Sequence, residues 1–232
     1  MTLFVKSIKT TNLFDMYTAT WNFNTDVSIM IGPNGCGKST TLGILDSIVR
    51  GIKGNFPVDS AEVTLASGEK LTLLTPKEVV KVFQPMLIAS LRECLNNVAY
   101  TDKQVSMFTS IINKNLEVTK KEITLDDTII WKGFKVTQKG KELTQDCLSY
   151  GELYFISLYY SLIFFAKDCL VMVDDLGNSL HIAWQESIID DMTSIAEMNN
   201  LQIITVTHST GILAGNTDNL ADLDLEYCYE GN

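Results

Sequence analysis

The chain has 232 residues, 46% of them hydrophobic, which suffices for one domain with its own interior and excludes a disordered or low-complexity polymer. It carries 28 carboxylates against 18 basic side chains, and every lysine and arginine lies at or before Lys167, leaving the C-terminal third purely acidic. That third is a poor phosphate-backbone surface and reads as a solvated face or a docking surface for a basic partner.

Met1 to Lys6 alternates like a strand and lacks a basic region followed by a long apolar run, so no signal peptide is expected. Five scattered cysteines, Cys36, Cys94, Cys147, Cys169 and Cys228, form no C-x-x-C pair; neither a disulfide framework nor a zinc site is indicated, and a reducing compartment is expected. Strands are expected over 3–9 and 19–31, the second ending in Ile29-Met30-Ile31.

The glycine-rich run Gly32, Pro33, Asn34, Gly35, Cys36, Gly37, Lys38, Ser39, Thr40 then fits G-x-x-x-x-G-K-[ST]. Gly32, Gly35 and Gly37 let the backbone curl so that successive N–H groups point inward, and a helix starting near Lys38 adds its positive dipole end. A glycine turn alone is only a tight connection. Here Lys38 stands where it reaches the β- and γ-phosphates and Ser39 where its hydroxyl holds magnesium, so the run predicts an ATP or GTP site.

Residues 40–50 have helical spacing through Leu42, Ile44, Leu45, Ile48 and Val49, closed by Gly51 and Gly54. Residues 62–73 read as a hairpin around Ser67-Gly68. Pro76 opens a middle expected to be mostly helical to about Asn115, and Ile129 to Val136 with a turn at Lys139-Gly140-Lys141 suggests another hairpin. Lys132, Lys135, Lys139 and Lys141 form the local basic patch, diluted by Glu142 and Asp146, so nucleic acid is a possible partner that charge alone does not make evident.

The apolar run Leu153 to Ala166 is too short to span a bilayer and reads as a buried helix, which with the rest predicts a soluble, cytoplasmic chain with no membrane partner. Its aromatic stripe, Tyr150, Tyr154, Phe155, Tyr159, Tyr160, Phe164 and Phe165, reads as core. Cys169 to Asp175 is a buried strand ending in two carboxylates, Trp184 to Asn199 an amphipathic helix, and Gln202 to His208 a second buried strand ending in histidine. Continuous apolar strands belong to a sheet covered on both faces, whose C-terminal ends bind ligands. Asp174 is placed to hold magnesium and Asp175 to face an attacking water; the pair is also suited to cap the following helix.

Leu148-Ser149-Tyr150-Gly151-Glu152 resembles the signature sequence of ABC-type ATPases, Asp174 to His181 resembles their Walker B and D-loop segment, and Thr207-His208-Ser209 resembles their switch histidine. Together with the phosphate loop these stand in the family's order. The run from Asn178 to Gln185 is closest to soluble, non-transporter members: overcoming-lysogenization-defect-type, RecF-like and antiviral-defence ATPases. The resemblance implies an α/β fold, a P-loop NTPase of ABC-ATPase type: a mixed or parallel sheet flanked by helices, an antiparallel β portion, and a helical lobe over roughly 76–150 carrying the signature, all in one domain over 1–232. The stretch from Lys38 to Ser149 leaves no room for a long coiled-coil arm at ~1.5 Å per residue.

The resemblance also implies two protomers packed head to tail around two Mg-ATP molecules. Ser149, Gly151 and Glu152 would act on the partner protomer's ATP, a cradle that one chain cannot fold onto its own phosphate loop. Lys38, Asp175 and His208 would be catalytic, with Asp175 as general base or water-orienting group and His208 at the γ-phosphate. Ser39, Asp174 and a lid glutamine, for which Gln84 is the candidate, would serve the metal. His181 stands where transporters carry aspartate, Leu176-Gly177 where proline-glutamate is usual, and Asp175 where glutamate is usual. One methylene less leaves the carboxylate ~1 Å short, which can cost ~100-fold in rate, so slow hydrolysis is expected. The implied function is an ATP-hydrolysing switch controlling a separate effector, a nuclease or toxin, in antiviral defence or DNA repair. The alternatives are a nucleotide-sensing module that restrains a toxin with little hydrolysis, and a transporter's ATPase subunit.

Overall fold

The computed structural model describes residues 4–128, 132–178 and 180–228. Met1 to Leu3, Ile129 to Trp131 of the second expected hairpin, and Ser179 lie outside the described residues. In chain order the elements are β1 (Val5–Leu13), β2 (Tyr17–Asn22), β3 (Val27–Met30), α1 (Lys38–Val49), β4 (Ser60–Leu65), β5 (Lys70–Thr72) and β6 (Val82–Phe83). There follow α2 (Asp102–Leu116), β7 (Lys121–Asp127), β8 (Lys132–Gln138), β9 (Lys141–Leu143) and α3 (Tyr150–Tyr160). The chain continues through β10 (Cys169–Val173), α4 (Ile182–Gln185), α5 (Ile188–Asn199), β11 (Leu201–Val206), α6 (Thr210–Leu213) and β12 (Asp222–Tyr227). Two compact units result: Met1–Gln84, Lys167–Asn178 and Met192–Asn232 form one, and Pro85–Ala166 with Ser179–Asp191 the other.

The first unit holds an antiparallel sheet in the order β12-β2-β1-β4-β5 and a parallel sheet in the order β3-β11-β10-β6. The expected 19–31 strand is two strands belonging to different sheets. Burial alternates along β2, whereas all of β3 is buried, and side-chain bonds break the ladder at the start of β3: Ser28 Oγ donates to Thr25 O at 3.0 Å and Thr25 Oγ1 to Val27 O at 2.7 Å. Core residues include Ile8, Trp21, Phe23, Ile44, Leu45 and Ile204. Gln202 is fully buried but satisfied: its Oε1 accepts from the Phe4 and Val5 N–H groups at 2.9 and 2.8 Å, and its Nε2 donates to Val5 O at 2.7 Å, pinning the start of β1.

The second unit has an antiparallel sheet, β7-β8-β9, and the helices α2 and α3. Phe108 of α2 places its ring 4.5 Å from that of Phe134 of β8, tilted against it, and 5.6 Å from that of Phe164, edge to face. Of the aromatic stripe, Phe155, Tyr159, Tyr160 and Phe164 are core, while Tyr150 and Phe165 are exposed.

The helical middle expected over 76–115 is helical only from Asp102. Residues 84–100 run as turns and extended chain, starting from a residue that Pro85 biases away from helix. Side chains take up backbone bonds that a helix would have made internally. Ser157 Oγ accepts from Ile88 N at 3.0 Å, Ser161 Oγ from Met86 N at 3.3 Å and Gln145 Oε1 from Leu91 N at 3.0 Å.

Candidate functional site

The phosphate loop joins the buried strand β3 to α1. Gly35 and Gly37 hold φ of 81° and 80°, a conformation that disfavours a side chain. A Cβ on Gly37 would also sit 2.6 Å from Leu13 Cδ2. Gly37 is the N-cap of α1, with no side chain capping it, so the helix presents its leading N–H groups to an anion. Tyr17 fixes the loop from below by donating its hydroxyl to Gly35 O at 2.9 Å. Lys38 is buried with its Nζ donating to Gly32 O at 2.9 Å and Pro33 O at 3.1 Å, and Cys36 Sγ lies 3.9 Å from it.

A cavity of about 540 Å³ opens over this loop, lined by Phe14, Asn34, Gly35, Gly37, Lys38, Ser39, Thr40 and His208. β10 delivers Asp174 to the loop: Ser39 Oγ donates to its Oδ1 at 2.9 Å. A hydroxyl and a carboxylate are the hard oxygen donors that magnesium takes from protein when phosphate and water complete its shell, so the pair fits a magnesium-nucleotide. Among the described residues no group of three or more His, Cys, Asp or Glu converges into an all-protein metal cage.

β10 and β11 pair in parallel with Val173 opposite Thr205. At their ends Thr205 Oγ1 donates to Val173 O at 2.8 Å, and just beyond them Leu176 N donates to Val206 O at 2.8 Å and Thr207 Oγ1 to Leu176 O at 2.5 Å. These bonds hold the turn after Asp174 beside the turn that carries His208. Asp175 is left-handed, φ 56°, and its Oδ2 accepts from Asn178 Nδ2 at 2.7 Å. It is exposed and is not among the residues lining the cavity. Gln84 is also exposed and outside that lining. It does follow a strand: β6 pairs in parallel with β10, Val82 opposite Leu170 and Phe83 opposite Val171.

The signature residues lie in the second unit. Ser149 is the N-cap of α3: its Oγ accepts from Glu152 N at 3.2 Å while Glu152 Oε2 accepts from Ser149 N at 2.7 Å. Glu152 is only 2% exposed, and Lys121 Nζ reaches both its oxygens at 2.9 and 2.8 Å. Burial pushes this carboxyl upward, but the Lys121 ammonium and the Ser149 N–H outweigh it and hold it below the usual range. Ser149 is exposed and Gly151 half-buried, so the carboxylate faces inward while the cap residue faces out. His181 caps α4, its Nδ1 accepting from Ala183 N at 3.2 Å. Lys132 and Lys135 sit three residues apart on β8 and so point to opposite faces, which divides the basic patch.

Phe14 was not anticipated from sequence. It stands left-handed, φ 57°, in the β1–β2 turn, with its ring at the cavity. A short turn carries no periodicity to mark it.

Residues 79–214 match the family described as "AAA domain, putative AbiEii toxin, Type IV TA system". An uncharacterized ABC transporter ATP-binding protein of Mycobacterium tuberculosis is 36% identical over 70 residues, 30% of this chain and 21% of its own length. The methionine import ATP-binding protein MetN of Photobacterium profundum is 25% identical over 188 residues, 80% of this chain; the chain spans only 50% of that relative's length. Among solved structures, an SMC head bound to the C-terminal winged-helix domain of ScpA superposes with a TM-score of 0.57 at 10% identity, covering 97% of this chain and 98% of that one. The SMC head domain of Thermotoga maritima gives 0.51 at 13% identity, covering 90% and 91%. The chain belongs to this AAA-domain family, and it shares the fold of the SMC head domains.

Proposed function

We propose that the chain is an ATP-driven switch that pairs head to tail around magnesium-ATP and hydrolyses it to control a separate effector. The observation that carries this is the convergence of Lys38, Ser39 and His208 on one cavity, with Asp174 bonded to Ser39 at its edge. The loop N–H groups and Lys38 would bind the β- and γ-phosphates, and Phe14 would offer an apolar face to the base. Ser39 and Asp174 would hold magnesium, which supplies charge neutralisation of the phosphates. His208 would contact the γ-phosphate. The outward Ser149 and the first turn of α3 would close a partner's nucleotide, making triphosphate the bond between copies.

Support for an effector partner is indirect. The family's description names a toxin system, and one structural neighbour is an SMC head carrying a domain of ScpA. The setting proposed is antiviral defence or DNA repair in the cytoplasm; among the described residues no helix is long and apolar enough to cross a membrane.

A second reading is favoured by Asp175, whose carboxylate is engaged by Asn178 and stands outside the cavity lining. In that reading the chain senses ATP, turns it over little and restrains a toxin. Phosphate release under excess ATP separates the two. Many turnovers per chain that fall away in Asp175→Ala support the hydrolytic switch, and pairing without release supports the sensor.

A further inference from the structure

The signature helix depends on a residue outside every motif. Its capping box needs Glu152 to lie folded inward, where a carboxylate is costly unless it is paired. Lys121 meets that need: its Nζ bonds both Glu152 oxygens and also donates to Cys147 O at 3.2 Å, within the turn leading into the signature. Lys121 is itself held. It opens β7, opposite Gln138 of β8, whose Nε2 donates to Thr119 O at 2.9 Å. Two residues on, Ile123 exchanges bonds with the Asn113 side chain of α2, at 2.7 Å through its N–H and 3.0 Å through its carbonyl.

We infer that Lys121 is a positioning residue for nucleotide-dependent pairing, fixing the signature helix start from the β7-β8-β9 sheet so that Ser149 and the first-turn N–H groups face outward in register for a partner's phosphate. This rests on the pairing reading above. With Glu152 anchored, Ser149 N is satisfied internally and the remaining first-turn donors are left for an external anion. Without Lys121 the buried carboxylate is uncompensated; it turns to water, the reciprocal cap opens, and the donors lose alignment.

The test uses the full chain and three readouts: affinity for a fluorescent ATP analogue with magnesium, association state by sedimentation at saturating ATP, and steady-state phosphate release. Lys121→Met should bind nucleotide within about twofold of wild type, because the phosphate loop is untouched, yet pair and turn over roughly 10- to 100-fold less well, with KM little changed. Lys121→Arg, which keeps the charge and can bond both carboxylate oxygens through its guanidinium fork, should recover most of the loss. Should Lys121→Met prove unfolded, Lys121→Met with Glu152→Gln removes both buried charges and keeps the capping acceptor; it should fold, bind ATP and pair close to the wild-type level, and a folded double variant that binds ATP but does not pair, where wild type pairs, overturns the inference. Pairing at the wild-type level by folded Lys121→Met overturns the inference while leaving the pairing reading intact. A wild-type chain that binds ATP and stays single overturns both.

Discussion

Ser39 and Asp174 stand 135 positions apart in the chain and 2.9 Å apart in space, and each was marked by local pattern: a hydroxyl after a glycine-lysine turn, a carboxylate after five buried strand residues. Such residues are legible because a glycine-lysine turn and a strand-terminal carboxylate are patterns of fixed type and spacing. Phe14 escaped notice because its place depends on a left-handed turn folding back over the loop. If it is the base's apolar face, Phe14→Ala should weaken ATP affinity by about tenfold, stacking being worth roughly 1–3 kcal/mol, while Phe14→Trp keeps it; fluorescent-analogue titration checks this. A second residue-level prediction concerns Asp191, whose Oδ2 accepts from Tyr159 OH at 3.1 Å and Ser187 Oγ at 3.2 Å. Burial holds its carboxyl above the usual range despite both donors. A raised value means the folded chain holds the proton more tightly than the unfolded one. The contribution is therefore full below the unfolded value and lost as pH rises through the folded one. Asp191→Asn should accordingly raise the melting temperature more at pH 7 than at pH 4, and an equal shift at both would contradict the assignment.

At the level of elements, α1, the β4–β5 hairpin, β10 and β11 were legible because their periodicity is strong and their ends are punctuated by glycine or charge. β7 was not. Its sequence, Lys-Glu-Ile-Thr-Leu-Asp-Asp, is rich in residues that strands disfavour, and its burial does not alternate. The 84–100 strap misled for another reason: its apolar spacing suits a helix, and Ile88, Leu91 and Leu95 are indeed buried, but its backbone is satisfied by side chains far along the chain. Gln145 serves it with both ends of its amide, accepting from Leu91 N at 3.0 Å and donating to Ile88 O at 3.2 Å and Ala89 O at 3.5 Å. Gln145→Ala should therefore cost about 1–3 kcal/mol in denaturant unfolding, against a few tenths for an exposed glutamine elsewhere. The signature shows how one pattern carries two meanings. Ser149-x-x-Glu152 is a capping box by spacing alone, and its glutamate serves its own helix end, with Lys121 as the counter-charge that no local pattern announces.

For the whole molecule, the mixed composition of sheets was legible from the change between alternating and continuous apolar strands, and it places the phosphate loop and both acidic and histidine strand ends within one unit. The partition into two units was less so, since the second closes on Ser179–Asp191 as well as Pro85–Ala166, a return that no local signal marks. Whether triphosphate joins two copies is a property of the assembly, and the account stands or falls on it. The most direct measurement is the mass of the purified chain by light scattering after size exclusion, with and without ATP and magnesium, for Asp175→Asn and Lys38→Ala. The account predicts a nucleotide-dependent dimer for Asp175→Asn and a monomer throughout for Lys38→Ala. An Asp175→Asn chain that is saturated with ATP and remains a monomer would contradict it.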